Sequence, residues 1–149
     1  MHQILLIQGP NMSYLGKRQP EIYGKTTAAQ LDAIVRAHAK RNRYGLDIFY
    51  THSEPAAMER LYASIGRIDG LLMNPAGWLF GAYPLRDTLR AVPFPYIEVH
   101  MTNIDKRGFH SILAETAVGV VAGFGVNSYI LGLEAMLAHL KSAPKKKRG

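Results

Sequence analysis

Five short apolar runs, separated by longer stretches of helical periodicity, set the limits on how this chain can fold. They are Ile4-Leu5-Leu6-Ile7 within Gln3 to Gln8, Leu46 to Tyr50, Gly70 to Asn74, Tyr96 to His100 and Val118 to Ala122. Their apolar residues are largely consecutive rather than alternating, which suits strands covered on both faces. Leu31, Ile34, Val35 and Ala39 recur at helical spacing behind the capping residues Thr26 and Thr27, and Gly45 ends the turn that follows. Met58, Leu61, Tyr62 and Ile65 mark a second apolar helix face. A third helix is predicted near Leu85 to Arg90, and Ile130, Leu133, Met136, Leu137 and Leu140 define a closing one. Strands alternating with crossover helices predict an α/β fold, a flavodoxin-like, doubly wound five-stranded parallel sheet in the order 2-1-3-4-5.

The 149 residues suit one domain over 1–143, followed by a basic tail over 144–149. A chain of this length buries about two thirds of its unfolded surface without covalent staples. It has no cysteine, which excludes disulfides, thiolate metal sites and a Cys nucleophile. The first residues lack the basic and long apolar segments of a signal peptide, and no apolar run reaches membrane-spanning length. The expectation is a soluble, cytoplasmic protein with no membrane partner. Of the net charge of +7, four charges come from Lys145, Lys146, Lys147 and Arg148 after Pro144. Such a tail reads as a solvated end, so nucleic acid is not an expected partner.

Chemistry is expected where the strands end. The stretch from Gly9 to Gly24 leaves the carboxyl end of the first strand and is punctuated by Gly and Pro. It carries an amide, Asn11, a guanidinium, Arg18, and a phenol, Tyr23. Asn74 closes the third strand, and Glu98 and His100 lie two residues apart on one face of the fourth. Asn11, Asn74, Glu98 and His100 should meet at one sheet edge, where open α/β sheets bind ligands. A nucleotide site is the first alternative, but the chain has neither a G-x-G-x-x-G nor a G-x-x-x-x-G-K-[ST] motif. The six His are scattered, and only His100 has a carboxylate beside it at a strand end, so no metal site is expected.

Four segments together carry a family resemblance: G-P-N-x-x-x-L-G-x-R-x-P-x-x-Y-G from Gly9, N-P at Asn74 followed by Leu85-Arg86-Asp87, I-E-V-H-x-[ST]-N from Ile97, and Gly123-Phe124-Gly125 before the last helix. In order and spacing the chain from Gln3 to Leu140 resembles type II 3-dehydroquinate dehydratase. The resemblance implies a lyase that removes water from 3-dehydroquinate to give 3-dehydroshikimate, in the shikimate pathway of aromatic amino acid biosynthesis or in quinate catabolism. It implies no metal and no cofactor, a small anionic cyclic substrate, and a homo-oligomer, a dodecamer built from trimers. Tyr23 corresponds to the base, with Arg18 favouring the phenolate, because a free phenol has a pKa of about 10 and is a poor base at neutral pH. Asn11 corresponds to the residue that stabilises the enolate oxygen with a water, His100 to the general acid, and Glu98 to the group that orients it. Asn74 helps to hold the ring region and the His. Met101 and Thr102 receive the substrate carboxylate, and Asp87 is contributed across a subunit interface.

The chain also departs from the family pattern. In Asn74-Pro75-Ala76-Gly77-Trp78-Leu79-Phe80, Leu79 and Phe80 stand where the family has Thr and a hydroxyl-binding His. The segment from Asn103 to Ser111 is about three residues shorter, which puts Gly108 where the family carries an Arg that meets the same hydroxyls. Arg107 can swing in, and His110 is a second candidate to restore those contacts. Because the departures fall on the hydroxyl-recognition side, a related elimination on a less hydroxylated or bulkier cyclic keto acid stands as the alternative. A catalytically silent ligand-binding homologue keeps the fold but gives no reason for Tyr23, Arg18, His100 and Glu98 to occur together.

Overall fold

The computed structural model describes residues 1–144; Lys145 to Gly149, which hold the charges of the expected tail, lie outside the described residues. In chain order the elements are β1 Gln3–Gln8, a tight 3-10 turn at Met12–Tyr14, α1 Pro20–Tyr23, α2 Ala28–Asn42, β2 Gly45–Tyr50, α3 Glu54–Ala63 and β3 Gly70–Asn74. A 3-10 stretch at Ala76–Phe80, α4 Tyr83–Ala91, β4 Tyr96–His100, β5 Gly119–Ala122 and α5 Asn127–Ser142 follow. The strands form one sheet in the order β2-β1-β3-β4-β5, every neighbouring pair parallel. This is the flavodoxin-like order expected from the alternation of runs.

Local sequence explains where the helices start. Thr27 caps α2 in a reciprocal box, its hydroxyl accepting from the Gln30 N–H at 3.1 Å while Gln30 Oε1 accepts from the Thr27 N–H at 2.9 Å. Ser53 caps α3 by accepting from the Ala56 N–H, with Pro55 in the first turn. α1 is a single turn inside the stretch read as an irregular loop, started by Pro20 and closed by Gly24 at φ 79°.

Both faces of the sheet are covered. Ile4, Leu6, Leu72, Ile97 and Val99 point to one side and pack on Leu31 and Val35 of α2 and on Tyr129, Leu133 and Met136 of α5. Leu5, Ile7, Leu71, Met73 and Tyr96 point to the other and pack on Ala57 and Leu61 of α3 and Leu85 and Leu89 of α4. The consecutive apolar residues of β1 are thus split between two cores. Several expected core positions are not in a core. Tyr62 and Ile65 are exposed because α3 stops at Ala63 and its buried side is limited to Ala57 and Leu61; Ile34 is exposed beside the buried Val35. Val118 precedes β5 rather than opening it, and Val120 is 47% exposed because β5 is an edge strand. The path from β4 to β5 contains no α-helix, only a short 3-10 turn at Ala114–Thr116. Among the described residues, no helix is long and apolar enough to cross a membrane.

The carboxyl ends of β1 and β3 touch. The Gly9 N–H donates to the Asn74 carbonyl at 2.9 Å, and a Cβ on Gly9 would lie 2.7 Å from the Pro75 carbonyl oxygen. Backbone cannot yield there as a side chain can, so Gly9→Ala should cost about 1–3 kcal/mol of stability in urea unfolding. Gly70→Ala, whose new methyl meets the flexible Met136 thioether, should cost less.

Candidate active site

Strand order brings the polar residues together. In register, Gln8 stands beside Asn74 across β1 and β3, and Met73 beside Glu98 across β3 and β4. The residues that follow these strands therefore share one edge, and between them lies a cleft of about 330 Å³. Asn11, Arg18, Tyr23, Asn74, Phe80, His100, Met101, Thr102 and Arg107 all line it. A larger hollow of about 1070 Å³ lies at the opposite edge of the sheet, around His2, Arg43 and Lys141, and contains none of the candidate residues. The chemistry of the lining, not volume, picks out the site.

One wall is a buried carboxylate with its donors. Glu98 is fully buried and His100 is 4% exposed, with Glu98 Oε2 and His100 Nε2 2.7 Å apart. Glu98 Oε1 accepts from the Tyr96 hydroxyl at 2.8 Å and from the Ser111 hydroxyl at 3.0 Å. Burial, and then the Glu98 charge, push the Tyr96 phenol well above its ordinary range, so it stays a donor. These contacts hold the carboxylate, which in turn holds one face of the imidazole.

Opposite stands the phenol. Arg107 Nη1 donates to Tyr23 Oη at 3.3 Å and to Thr102 Oγ1 at 3.2 Å. The same guanidinium lies 4.6 Å from the centre of the Phe109 ring, and Phe109 meets Phe80 edge to face at 5.0 Å. Arg18 lines the cleft from an exposed position on the loop, whereas the guanidinium bonded to the phenol is that of Arg107. Phe80 is 61% exposed and Leu79 is buried, so the wall where they sit offers no side-chain hydrogen-bond donor of its own. His110 is exposed and is not part of the lining.

The turn at Asn11 is held from a distance. Asn11 has φ 68°, a left-handed conformation that Asn tolerates, and its N–H donates to His52 Nδ1 at 3.0 Å. A backbone N–H can only donate, so Nδ1 of His52 carries no proton. Asn74 accepts from the Ala76 N–H at 3.0 Å and donates through Nδ2 to Tyr129 Oη at 2.8 Å. Asp87 lies outside this cleft, exposed on α4 and 3.7 Å from Arg90.

Comparison with known proteins settles the family. The model for the family "Dehydroquinase class II" matches residues 2–137. The chain belongs to the class II dehydroquinase family. A relative from Synechococcus sp. strain CC9605 named 3-dehydroquinate dehydratase is 40% identical over 144 residues, 95% of this chain and 98% of that relative. The crystal structure of a type II dehydroquinase from Butyrivibrio crossotus superposes with a TM-score of 0.88 at 26% identity, covering 91% of this chain and 97% of that one. A type II dehydroquinase from Propionibacterium acnes gives 0.87 at 30% identity, covering 95% and 98%.

Within this class II dehydroquinase, sequence reasoning missed Tyr96, Ser111, His52 and Tyr129. Tyr96 was accessible, since positions 96, 98 and 100 share a strand face. The other three reach the site across large sequence separations and left no local signal. Ser111→Ala removes one donor from a buried carboxylate, so it should lower the unfolding free energy by about 1–3 kcal/mol in denaturant titration. Ser111→Thr, which keeps a hydroxyl, should recover most of it.

Proposed function

We propose that the chain is a 3-dehydroquinate dehydratase, removing water from 3-dehydroquinate to give 3-dehydroshikimate through an enolate. The observation that carries this is one cleft lined by a phenol bonded to a guanidinium, Tyr23 with Arg107, and by an imidazole backed by a buried carboxylate, His100 with Glu98. Loss of a proton beside a ketone needs a base, and a phenol serves only if positive charge favours its anion. Arg107 supplies that charge directly, and Arg18, which also lines the cleft, adds to it. Negative charge then builds on the ketone oxygen, where Asn11 and a water stabilise it; a preorganised donor of this kind is worth about 3 kcal/mol of barrier. His100, steadied by Glu98, gives its proton to the departing hydroxyl.

The substrate carboxylate is received by the backbone at Met101 and Thr102 and by the Thr102 hydroxyl. Asn74 holds the ring, with Phe80 and Phe109 forming an apolar wall beside it. All the steps are proton transfers and charge stabilisation, so the chemistry draws on no cofactor or metal. The same reading has the chain working in the cytoplasm as a dodecamer built from trimers, with Asp87 reaching a neighbour's base and its Arg.

The test is the rise in enone absorbance when purified protein meets 3-dehydroquinate. Tyr23→Phe should lower kcat by about hundredfold or more, and Arg107→Ala by about tenfold, with the fold intact by circular dichroism. A folded wild-type protein that leaves 3-dehydroquinate unchanged overturns the assignment.

A further inference from the structure

Behind the cleft, a buried line of polar groups runs from Asn74 across the sheet, and its direction is fixed by chemistry. The Ala76 N–H can only donate, so Asn74 Oδ1, at 3.0 Å, is the acceptor and the amide orientation is set. Asn74 Nδ2 therefore faces Tyr129 Oη, 2.8 Å away, and donates to it. With its oxygen accepting, Tyr129 sends its own proton to Gln8 Oε1, also at 2.8 Å. Gln8 stands opposite Tyr50 in the β1–β2 register, but Gln8 Nε2 is buried with no hydrogen-bond partner, so the line ends at Gln8. Tyr50 donates separately to Asp32 Oδ1 at 2.8 Å.

Gln8 and Tyr129 have no exposed surface, and Asn74 has 5%. Burial pushes both phenols well above their ordinary range, so each stays protonated and able to donate. The near end of the line holds a strained position. Ala76 has φ 48°, a left-handed conformation rare for a residue with a side chain, and the cleft wall from Ala76 to Phe80 begins there.

We infer that Tyr129 is a positioning residue for the reaction: through Asn74 it holds the Ala76 turn, and with it the wall that carries Phe80. The inference rests on the dehydratase reading for its kinetic consequence, but not for its structural one. Without the Tyr129 hydroxyl, Asn74 Nδ2 and Gln8 Oε1 both lose a buried partner, and the amide is left with only the Ala76 N–H and a 3.6 Å contact from Nδ2 to the Met12 sulfur, a weaker hold on the Ala76 turn.

A double-mutant cycle tests this. Tyr129→Phe should lower kcat/KM about tenfold. In an Asn74→Ala background it should change kcat/KM by roughly twofold or less, while the melting temperature falls in both backgrounds. The Asn74 side-chain amide resonances in a nitrogen-proton correlation spectrum should shift in Tyr129→Phe, a readout that needs no turnover. An equal kinetic penalty with and without Asn74, or an unmoved amide signal in folded Tyr129→Phe, overturns the inference. Absence of turnover by the wild type counts against the dehydratase reading instead, and leaves the spectral test in force.

Discussion

Glu98 has no exposed surface, and the carboxyl edge of the sheet is built around that fact. Taking a carboxylate out of water costs several kcal/mol unless donors replace the lost hydration. Here the replacements come from three places: Tyr96 one pleat back on the same strand, His100 one pleat forward, and Ser111 from the crossover to β5. A strand can supply the first two by its period alone, but the third requires the chain to fold back over β4. The segment from 101 to 118 does this without an α-helix, and the Leu113 N–H donates to the Ser111 hydroxyl at 3.2 Å, fixing the returning backbone against the site.

The rest of the cleft follows from which strands are neighbours. Because the order puts β1 and β3 side by side, with β4 next, the turns leaving Gln8, Asn74 and His100 must crowd one another. Gly9 admits that crowding by having no side chain to place against the Pro75 carbonyl. The site separates its charges: the carboxylate lies under the imidazole, while the guanidinium of Arg107 lies by the phenol. The proposed elimination would use that separation, since an acid and a base must keep opposite protonation states across the same substrate.

Much of this was legible before any coordinates. Parallel strands buried on both faces leave a clear mark in sequence, and Asn11, Asn74, Glu98 and His100 could be placed at one edge from strand ends alone. Two kinds of feature were not legible. The first is the partner of a long side chain. The sequence places Arg18 on the same loop as Tyr23 and Arg107 on the hydroxyl side, yet the return of the 101–118 segment over the cleft puts the Arg107 guanidinium 3.3 Å from the phenol. The second is exposure at the limits of the fold. Val120 and Tyr62 read as core because helix and strand periods assign faces, yet a face is buried only where another element covers it, and β5 is an edge while α3 is short.

The aromatic wall also does the work of holding a cation. Phe80 donates no hydrogen bond, but it packs edge to face on Phe109, and Phe109 lies under the Arg107 guanidinium. A guanidinium held over a ring keeps its planar fork aimed, which an isolated flexible side chain would not. The apolar wall and the positioning of Arg107 are therefore one arrangement: an aromatic pair buttresses the cation that touches Tyr23. In this chain the apolar side of the cleft at position 80 holds the cation that bonds to the Tyr23 phenol.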